Sequence, residues 1–258
     1  MKEFDKLIEI VERLRNPKDG CPWDRKQTHK SLIPNFIEEL YEAVEAIENN
    51  DLQHLSEELG DLLLHIVMQT QIAVEKAEFD MQKVISKINR KLVNRHPHIF
   101  GNHQVTDAAQ VKKNWEQIKQ KEKRHVRKSI LDGIPKIMPA LIIAQRIQEK
   151  AASVGFDWDD LAPAVAKVKE EFNEFEESYK KHDKKEMESE LGDIIFAVVN
   201  IARKSEIDAE SALKKTIKKF RNRFQQIEKY HKDKDLDIKE SSLEELDEIW
   251  EASKKNKS

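Results

Sequence analysis

The sequence predicts an all-α protein built from two tandem helical domains, and three observations support this fold class. Of its 258 residues, 37% are charged and 38% are hydrophobic, a balance typical of amphipathic helices with narrow apolar stripes. Only six glycines and seven prolines occur, too few for the many tight turns of an all-β protein. The third observation is an internal repeat, in which the second half of the chain reproduces the helical pattern of the first.

Apolar residues at helical spacing predict four helices in the first half of the chain. Their stripes are Leu7, Ile10, Val11 and Leu14; Leu32, Ile33, Phe36, Ile37, Leu40, Tyr41 and Val44; Leu55, Leu59, Leu62, Leu63, Ile66 and Val67; and Val84, Ile88, Leu92 and Val93. The fourth helix is expected to end at His96-Pro97-His98, because proline disfavours the helical conformation of the residue before it. A further polar helix is expected over Gln104–Lys123.

The second half is expected to repeat this plan. Its predicted helices are Ala140–Ser153, Pro163–Lys181, Lys184–Lys204 and Asp208–Tyr230. Ser241-Ser242-Leu243-Glu244 is typical of a capping box and predicts a last helix through Trp250. A basic run, an Asp-Gly pair and two prolines lie between the halves. We therefore expect an N-terminal domain over 1–123, a linker over 124–138 and a C-terminal domain over 139–258.

Four acidic residues occur twice, in the same order and at the same separations. Glu39, Glu42, Glu58 and Asp61 recur 132 residues later as Glu171, Glu174, Glu190 and Asp193 (171 against 39, and likewise for the others). Residues three apart share a helix face, so each quartet predicts two helical carboxylate pairs that point at one spot. Ligand sets made only of oxygen favour hard cations such as Mg²⁺ or Mn²⁺.

A solvated acidic face is the ordinary alternative for such residues. Gly60 and Gly192, however, recur with the quartets in two Glu-Leu-Gly-Asp segments. An interior helical glycine costs about 1 kcal/mol against alanine, and it therefore indicates close packing or close approach of a ligand. The repeat thus favours a duplicated metal site.

Basic and aromatic residues also recur in pairs four residues apart. Lys91 with Arg95 matches Lys219 with Arg223, and Trp115 with Lys119 matches Trp250 with Lys254. Each basic pair shares a helix face and is either a solvated surface or a phosphate contact, and recurrence after each quartet favours the phosphate contact. Each tryptophan is either a core or interface residue or a cover over a nucleotide, with its lysine on a phosphate.

The composition argues against several classes of function. The 46 basic and 49 acidic residues give a net charge of −3, so the chain has no overall positive charge that would favour nucleic acid as a partner. No apolar stretch is long enough to span a membrane. The single cysteine, Cys21, excludes an internal disulfide, and the charged N-terminus lacks the apolar core of a signal peptide, so we expect a cytoplasmic protein. Without a glycine-rich phosphate loop, a phosphate substrate must be held by metal ions and basic side chains.

Taken together, these motifs resemble the signature of the MazG family of nucleoside triphosphate pyrophosphohydrolases, and the resemblance covers nearly the whole chain. It rests on Glu38-Glu39-x-x-Glu42 with Glu58-x-x-Asp61, Glu170-Glu171-x-x-Glu174 with Glu190-x-x-Asp193, Gly-Cys-Pro-Trp-Asp at 20–24, Arg-His-Pro-His-Ile-Phe at 95–100, and Lys219-Phe220-Arg221-x-Arg223-Phe224. The resemblance implies all-α helical bundles, a homodimer, Mg²⁺ dependence, and hydrolysis of a nucleoside triphosphate to the monophosphate and pyrophosphate.

The resemblance also implies roles for individual residues. Both acidic quartets become metal ligands, and the implied substrate contacts of the C-terminal site are Lys219, Arg223, Trp250 and Lys254. In two-domain relatives the C-terminal half tends to carry the activity. The halves of this chain differ at Asn200, a polar group available to sugar or base, whose counterpart is Met68. We therefore expect activity mainly in the C-terminal domain.

The expected chemistry is attack of a metal-activated water on the α-phosphorus, with pyrophosphate as the leaving group. Glu170 and Glu38, beside the ligands, either orient or deprotonate that water or support the site from outside.

Two full domains and the 95–100 segment favour a broad range of ribo- and deoxyribonucleoside triphosphates. One alternative is a pyrophosphohydrolase specific for one nucleotide, and another is a non-catalytic helical scaffold. Narrow apolar stripes also favour a homodimer, because a small helical domain needs a partner to cover them.

Overall fold

The computed structural model describes residues 2–102, 105, 107, 110–111, 114–115, 118–119, 122 and 128–255. Within these residues the chain is mostly helical and contains no strand, which confirms the predicted all-α fold class. The chain divides into two compact units, Met1–Val111 and Lys112–Ser258. No helix in the described part combines the length and the apolar character needed to cross a membrane.

The first unit contains the four long helices that the apolar stripes predict. The helices are α1 (Lys2–Leu14), α2 (Ile33–Asn49), α3 (Leu52–Glu75), α4 (Met81–Arg95) and the short α5 (Pro97–Phe100). Helix α4 ends directly before His96-Pro97, as expected. The described residues between 110 and 122 are helical, and the rest of the predicted helix over 104–123, apart from 105 and 107, lies outside the described residues.

The second unit contains five long helices within residues 128–255. They are α6 (Ala140–Ala152), α7 (Ala162–Lys181), α8 (Lys184–Lys204), α9 (Ala209–Asp233) and α10 (Leu243–Lys255). A capping box begins α10, one residue later than the predicted pair of Ser241 and Glu244: the Glu245 N–H donates to Ser242 Oγ (3.2 Å), and the Ser242 N–H donates to Glu245 Oε2 (2.8 Å). All five helices lie where the sequence predicts them.

The repeat extends to the residues that start and connect the helices. Asp51 caps α3 and its counterpart Asp183 caps α8, each accepting hydrogen bonds from backbone N–H groups of the first turn. Only Asn50 and Asp51 connect α2 to α3, and only His182 and Asp183 connect α7 to α8. Such short connections make each helix pair an antiparallel hairpin, which brings the two halves of each acidic quartet together.

Several helices end on a residue with left-handed backbone conformation that is not glycine. Within the described residues these positions are Asn50, Ala77, His182, Glu206 and Asp235, with φ between 52° and 57°. At the end of α3, the Glu78 N–H donates to the Ala73 carbonyl (3.0 Å) and the Ala77 N–H donates to the Val74 carbonyl (2.9 Å). This is the Schellman pattern, in which glycine is the commonest residue.

The apolar stripes that predict the helices are only partly buried in the chain. Val11, Leu32, Val67, Met68 and Ile72 form the buried cluster of the first unit. Other stripe residues remain half-exposed at positions that match between the units. The pairs are Leu40 with Phe172, Ile47 with Tyr179, Leu59 with Leu191, Leu63 with Ile195, and Ile66 with Val198, all between 36% and 59% exposed. We call these two sets the uncovered faces.

Part of the predicted linker packs within the second unit, against α6. The Lys150 side chain is buried, and its Nζ donates to the carbonyls of Ile130 (3.0 Å) and Asp132 (3.2 Å). Residues 124–127 of the predicted linker lie outside the described residues. The domain limits remain a prediction.

Candidate metal centre and adjoining cavity

Each helix hairpin brings together three members of its acidic quartet. Carboxylate oxygens of Glu39, Glu58 and Asp61 lie within 4.8 Å of one another in the α2–α3 hairpin. In the α7–α8 hairpin the same holds for Glu171, Glu174 and Glu190. The fourth members, Glu42 and Asp193, lie outside these groups but act on them electrostatically.

The clustered carboxylates disturb one another's protonation. Burial, together with the charges of Asp61, Glu42 and Glu58, raises the pKa of Glu39 to about 7. Desolvation and then the neighbouring acids, Glu174 foremost, raise the pKa of Glu190. Like charges held this close disfavour joint ionisation unless a cation offsets them.

The two clusters contact different basic side chains of the chain. His54 Nε2 lies 2.6 Å from Glu58 Oε1, whereas Glu58 Oε2 is buried and has no hydrogen-bond partner among the described residues. In the second unit, Lys167 Nζ lies 2.6 Å from Glu171 Oε1 and 2.7 Å from Glu170 Oε1. These hydrogen bonds raise the pKa of Lys167. Lys167 therefore bridges two carboxylates: that of Glu170, a predicted catalytic residue, and that of Glu171, a buried candidate ligand of the metal.

These features fit a hard divalent cation. Each cluster offers only carboxylate oxygens, which is the donor set that Mg²⁺ and Mn²⁺ prefer. The unpartnered Glu58 Oε2 is a buried acceptor of the kind a cation would satisfy. Glu38, the other predicted catalytic residue, is exposed on α2 next to this cluster.

The glycines of the repeated Glu-Leu-Gly-Asp segments are not packed within the chain. A Cβ built at Gly60 or at Gly192 would meet no atom within 4 Å among the described residues. Of the two reasons that the sequence suggested for these glycines, close packing inside the chain is therefore wrong. Approach of a ligand or of a second molecule stays a prediction.

The second quartet adjoins a large cavity. The cavity has a volume of about 850 Å³, and Glu171, Asp193 and Asn200 contribute to its wall. Most of the remaining wall is apolar, including Phe196 and Trp158. A cavity of about 260 Å³ in the first unit is lined by no member of that unit's quartet. Volumes of roughly 300–1,000 Å³ are typical of small-molecule sites.

The predicted basic and aromatic contacts of the second unit form a separate group. The Arg223 Cζ lies 5.5 Å from the centroid of the Trp250 ring, and the Phe220 ring lies 5.1 Å from the same ring. Lys219 is exposed on α9, and Lys254 pairs with Glu251 one turn earlier on α10. None of the four predicted substrate contacts lines the cavity. The structure thus brings Arg223 and Trp250 together, outside the wall of the cavity.

Their counterparts in the first half of the sequence differ in exposure. Lys91 is exposed on α4, whereas Arg95 is only 7% exposed, so this pair does not form a solvated basic face. Trp115 and Lys119 belong to the helical residues between 110 and 122 and are both half-buried.

Sequence reasoning missed several polar residues of the second unit. Lys167 precedes Glu171 by one helical turn, and the rule for ion pairs four residues apart would have identified it. Arg203 donates to Asn200 and to Asp157, and Gln148 lines the cavity. Asp157 and Arg203 are 46 residues apart, and no spacing rule connects them.

Comparison with known proteins supports one family. Residues 27–100 and 162–227 match the model of the MazG nucleotide pyrophosphohydrolase domain. The chain is 44% identical over 251 residues to the nucleoside triphosphate pyrophosphohydrolase/pyrophosphatase MazG of Thermotoga maritima, covering 97% of this chain and 95% of that protein. It is 41% identical over 258 residues to the nucleoside triphosphate pyrophosphohydrolase of Escherichia coli K12, covering 99% and 98%. It is also 44% identical over 256 residues to the uncharacterized protein YabN of Bacillus subtilis, covering 98% of this chain and 52% of that one.

Proposed function

The chain belongs to the MazG family of nucleotide pyrophosphohydrolases, and on that premise we propose that it hydrolyses nucleoside triphosphates to nucleoside monophosphates and pyrophosphate. The reaction depends on Mg²⁺, for which Mn²⁺ can substitute, and takes place mainly in the second unit. The substrate range is broad and covers ribo- and deoxyribonucleoside triphosphates.

One observation carries the proposal: the carboxylate cluster of the second unit lies at the wall of a cavity large enough for a nucleoside. Glu171 belongs to the cluster and lines the cavity, and Asp193 of the same quartet also lines it. A nucleotide with its base in the cavity would therefore present its phosphates to the carboxylates. Anionic phosphates and carboxylates approach each other only when cations lie between them.

Each residue of the second site then has a defined role. Glu171, Glu174, Glu190 and Asp193 hold the metal, and a bound Mg²⁺ supplies a Lewis acid that activates water and neutralises charge on the departing pyrophosphate. Lys167 holds Glu170 and Glu171 in position. Glu170 orients the water that attacks the α-phosphorus. Lys219, Arg223, Trp250 and Lys254 contact the nucleotide from the α9–α10 cluster.

The first quartet forms the weaker site in this proposal. Its members, Glu39, Glu42, Glu58 and Asp61, are all present, and Glu38, Lys91, Arg95, Trp115 and Lys119 correspond to the residues named for the second site. Met68, however, stands in the place of Asn200 and is 5% exposed within the apolar core. This site therefore offers no polar side chain for the nucleoside at that position.

A second copy of the chain covers the two uncovered faces, so the active form is a homodimer. The support is that the same helix positions remain half-exposed in both units, although their residues are apolar. Monomeric proteins rarely leave matched apolar stripes of this kind in water. The substrate contacts on α9 and α10, which do not line the cavity of their own chain, then serve the site of the partner subunit.

The proposal is tested by incubating the protein with each nucleoside triphosphate and Mg²⁺ and separating the products by chromatography. We expect the nucleoside monophosphate and pyrophosphate, and we expect chelation of Mg²⁺ to abolish their release. Nucleoside diphosphate with orthophosphate as products would contradict attack at the α-phosphorus. Turnover of one nucleotide alone would favour the narrow-specificity alternative, and no turnover at all would favour the scaffold.

The location of activity is tested with matched variants. Glu171→Ala is expected to lower kcat by a factor on the order of a thousand, because it removes a buried metal ligand of the second site. Glu39→Ala, the same change in the first unit, is expected to retain most of the activity. The reverse result would assign the reaction to the first unit, and circular dichroism of both variants verifies that the helices remain folded.

A further inference from the structure

The cavity of the second unit contains a polar group that the acidic cluster does not use. Asn200 lies on its wall, together with the apolar residues Phe196 and Ala197 of the same helix. Arg203 Nε donates to Asn200 Oδ1 (3.0 Å), and Arg203 Nη2 donates to the same atom (2.7 Å). Since a guanidinium has donors and no acceptor, the Asn200 atom that faces it must be the carbonyl oxygen. The amide NH₂ of Asn200 is therefore the end left over.

Arg203 is itself fixed by a second partner. Its Nη1 and Nη2 donate to the two carboxylate oxygens of Asp157 (3.0 and 2.6 Å), a two-pronged contact that defines the plane of the guanidinium. The Arg203 hydrogen bonds hold the pKa of Asp157 below its usual range. Lys204 Nζ donates to the Trp158 carbonyl (2.6 Å) and ties the same loop to α8. The orientation of Asn200 is thus set by a chain of contacts from the 157–158 loop.

Gln148 belongs to the wall of the same cavity and has the opposite chemistry to offer. Its Nε2 donates to the Phe196 carbonyl (2.8 Å), and because a carbonyl can only accept, this atom must be the amide nitrogen. Gln148 Oε1 is then the remaining end, and it is buried with no hydrogen-bond partner among the described residues. The residue is 7% exposed and lies on α6. An unpaired buried carbonyl is rare in native proteins, and a ligand donor would satisfy it.

We propose that Gln148 and Asn200 read the nucleobase of the substrate: Gln148 Oε1 accepts a base N–H, and Asn200 Nδ2 donates to a base oxygen or ring nitrogen. Arg203 and Asp157 are positioning residues that act through Asn200. This inference rests on the proposed function and adds to it the subsite that binds the base. The residues of the first unit 132 positions before Asn200 and Arg203 are Met68 and Gln71, and Pro22 precedes Trp23 where Asp157 precedes Trp158, so that unit has no such reader.

This pair of groups accounts for a broad substrate range. Adenine, cytosine, guanine and uracil each carry an N–H donor beside an acceptor on the edge used for base pairing. One acceptor and one donor on the protein therefore suit all four bases. A base whose N–H is blocked by methylation would be disfavoured, because it offers Gln148 no proton.

The test uses the full chain with Mg²⁺ and compares UTP with a methylated UTP, in which a methyl group replaces the hydrogen on the ring N–H of uracil. For the wild-type protein we expect KM to be about tenfold higher for the methylated UTP than for UTP, at similar kcat. Gln148→Leu keeps the approximate size of the side chain but removes Oε1. It is expected to raise KM for UTP about tenfold and to remove the difference between the two substrates.

Asn200→Ala is expected to raise KM for all four nucleoside triphosphates with little change in kcat. Arg203→Lys should raise the same KM values. The variant that combines both changes should have KM values no higher than those of Asn200→Ala alone, because Arg203 acts through Asn200. The control is Gln145→Leu, on the same helix as Gln148, which loses a hydrogen bond from the Ala209 N–H (3.1 Å) away from the cavity wall. It should keep the wild-type ratio of KM between UTP and the methylated UTP.

The outcomes separate this inference from the proposed function. If the wild-type protein releases UMP from UTP but has equal KM for both substrates, the base reader is refuted while the function stands. The same conclusion follows if Gln148→Leu raises KM for both substrates by the same factor, since that is a structural effect. If the wild-type protein releases no UMP from UTP, the proposed function is wrong, and the base reader is wrong with it.

Discussion

At the residue scale, the acidic clusters show how a fold can hold carboxylates that repel one another. Glu39, Glu58 and Asp61 come from two helices joined by a two-residue connection, so the backbone and not the side chains fixes their separation. The cost of ionising Glu39, which comes first from desolvation and then from the charges of Asp61, Glu42 and Glu58, raises its pKa to about 7. A bound divalent cation would reverse this cost.

The raised pKa of Glu39 predicts a pH dependence of stability. Between the ordinary value of 4.5 and about 7, the unfolded chain has lost the Glu39 proton while the folded protein retains it. The contribution of Glu39 to the free energy of unfolding therefore falls as the pH rises through this window. In the absence of metal, wild-type protein should lose stability relative to Glu39→Gln between pH values of about 5 and about 7.5, measured by urea unfolding. A difference between the two proteins that does not change with pH would contradict this account.

A second prediction concerns Gly192. Because a Cβ there meets no atom within 4 Å among the described residues, Gly192→Ala should stabilise α8 by about 1 kcal/mol through helix propensity. If a ligand or a second subunit approaches this backbone, the same change should lower kcat/KM about tenfold or more. Thermal unfolding and kinetics of the one variant measure both effects. Gly60→Ala is the matched change in the first unit, where we expect stabilisation without a comparable loss of activity.

At the element scale, local signals determine where the helices begin. The side chains of Asp51, Asp80, Asp183 and Asp208 accept hydrogen bonds from backbone N–H groups of the first turn, and a capping box starts α10. The predicted helices of the second unit accordingly match the structure closely. The residue after each helix end is less predictable, because Ala77 and Glu206 occupy left-handed positions where glycine would be the usual signal.

Ala77 therefore offers a stability prediction. It adopts φ of 56° after α3 and is exposed, so its methyl group costs energy without contributing to packing. Ala77→Gly should raise the free energy of unfolding by about 1 kcal/mol, measured by chemical denaturation. Glu206→Gly, at the matching place after α8, should raise the free energy of unfolding by a similar amount. Lys76→Gly is the control, because Lys76 has φ of −96° and gains nothing from glycine.

Side-chain networks between distant elements follow no local signal. The acidic quartets were predictable because helical spacing and the internal repeat both identify them. Asp157 and Arg203 are 46 residues apart, and their contact depends on how a loop packs against α8. The free carbonyl of Gln148 depends on a hydrogen bond to the backbone of Phe196 in another helix. Such contacts become visible only when the tertiary structure is known.

At the scale of the whole molecule, the exposure of apolar residues in the single chain bears on the proposed homodimer. The sequence places Leu40, Leu59, Leu63 and Ile66 on apolar helix stripes. The chain leaves these side chains 36–53% exposed. Helical periodicity identifies a face that avoids water, but it does not specify whether the cover comes from the same chain or from another.

The homodimer yields a prediction at this scale. Leu59→Lys combined with Leu191→Lys places a charge on both uncovered faces, and burying these charges should raise the dimer dissociation constant by a factor on the order of 100. Sedimentation velocity at several concentrations measures this change. Leu243→Lys, at a position that is 78% exposed, is the control and should remain dimeric. A wild-type protein that sediments as a monomer at tens of micromolar would refute the homodimer.

The two uncovered faces could pair between molecules in two different ways. If each face packs against the same face of a neighbouring molecule, the two molecules form a closed dimer with twofold symmetry, and no further copies can add. If the face on α2 and α3 instead meets the face on α7 and α8 of the next molecule, the contact repeats head to tail and permits filaments. Differences such as Leu40 against Phe172 and Ile47 against Tyr179 give the two faces distinct shapes. Such differences allow like faces to pair and disfavour the head-to-tail contact between unlike faces.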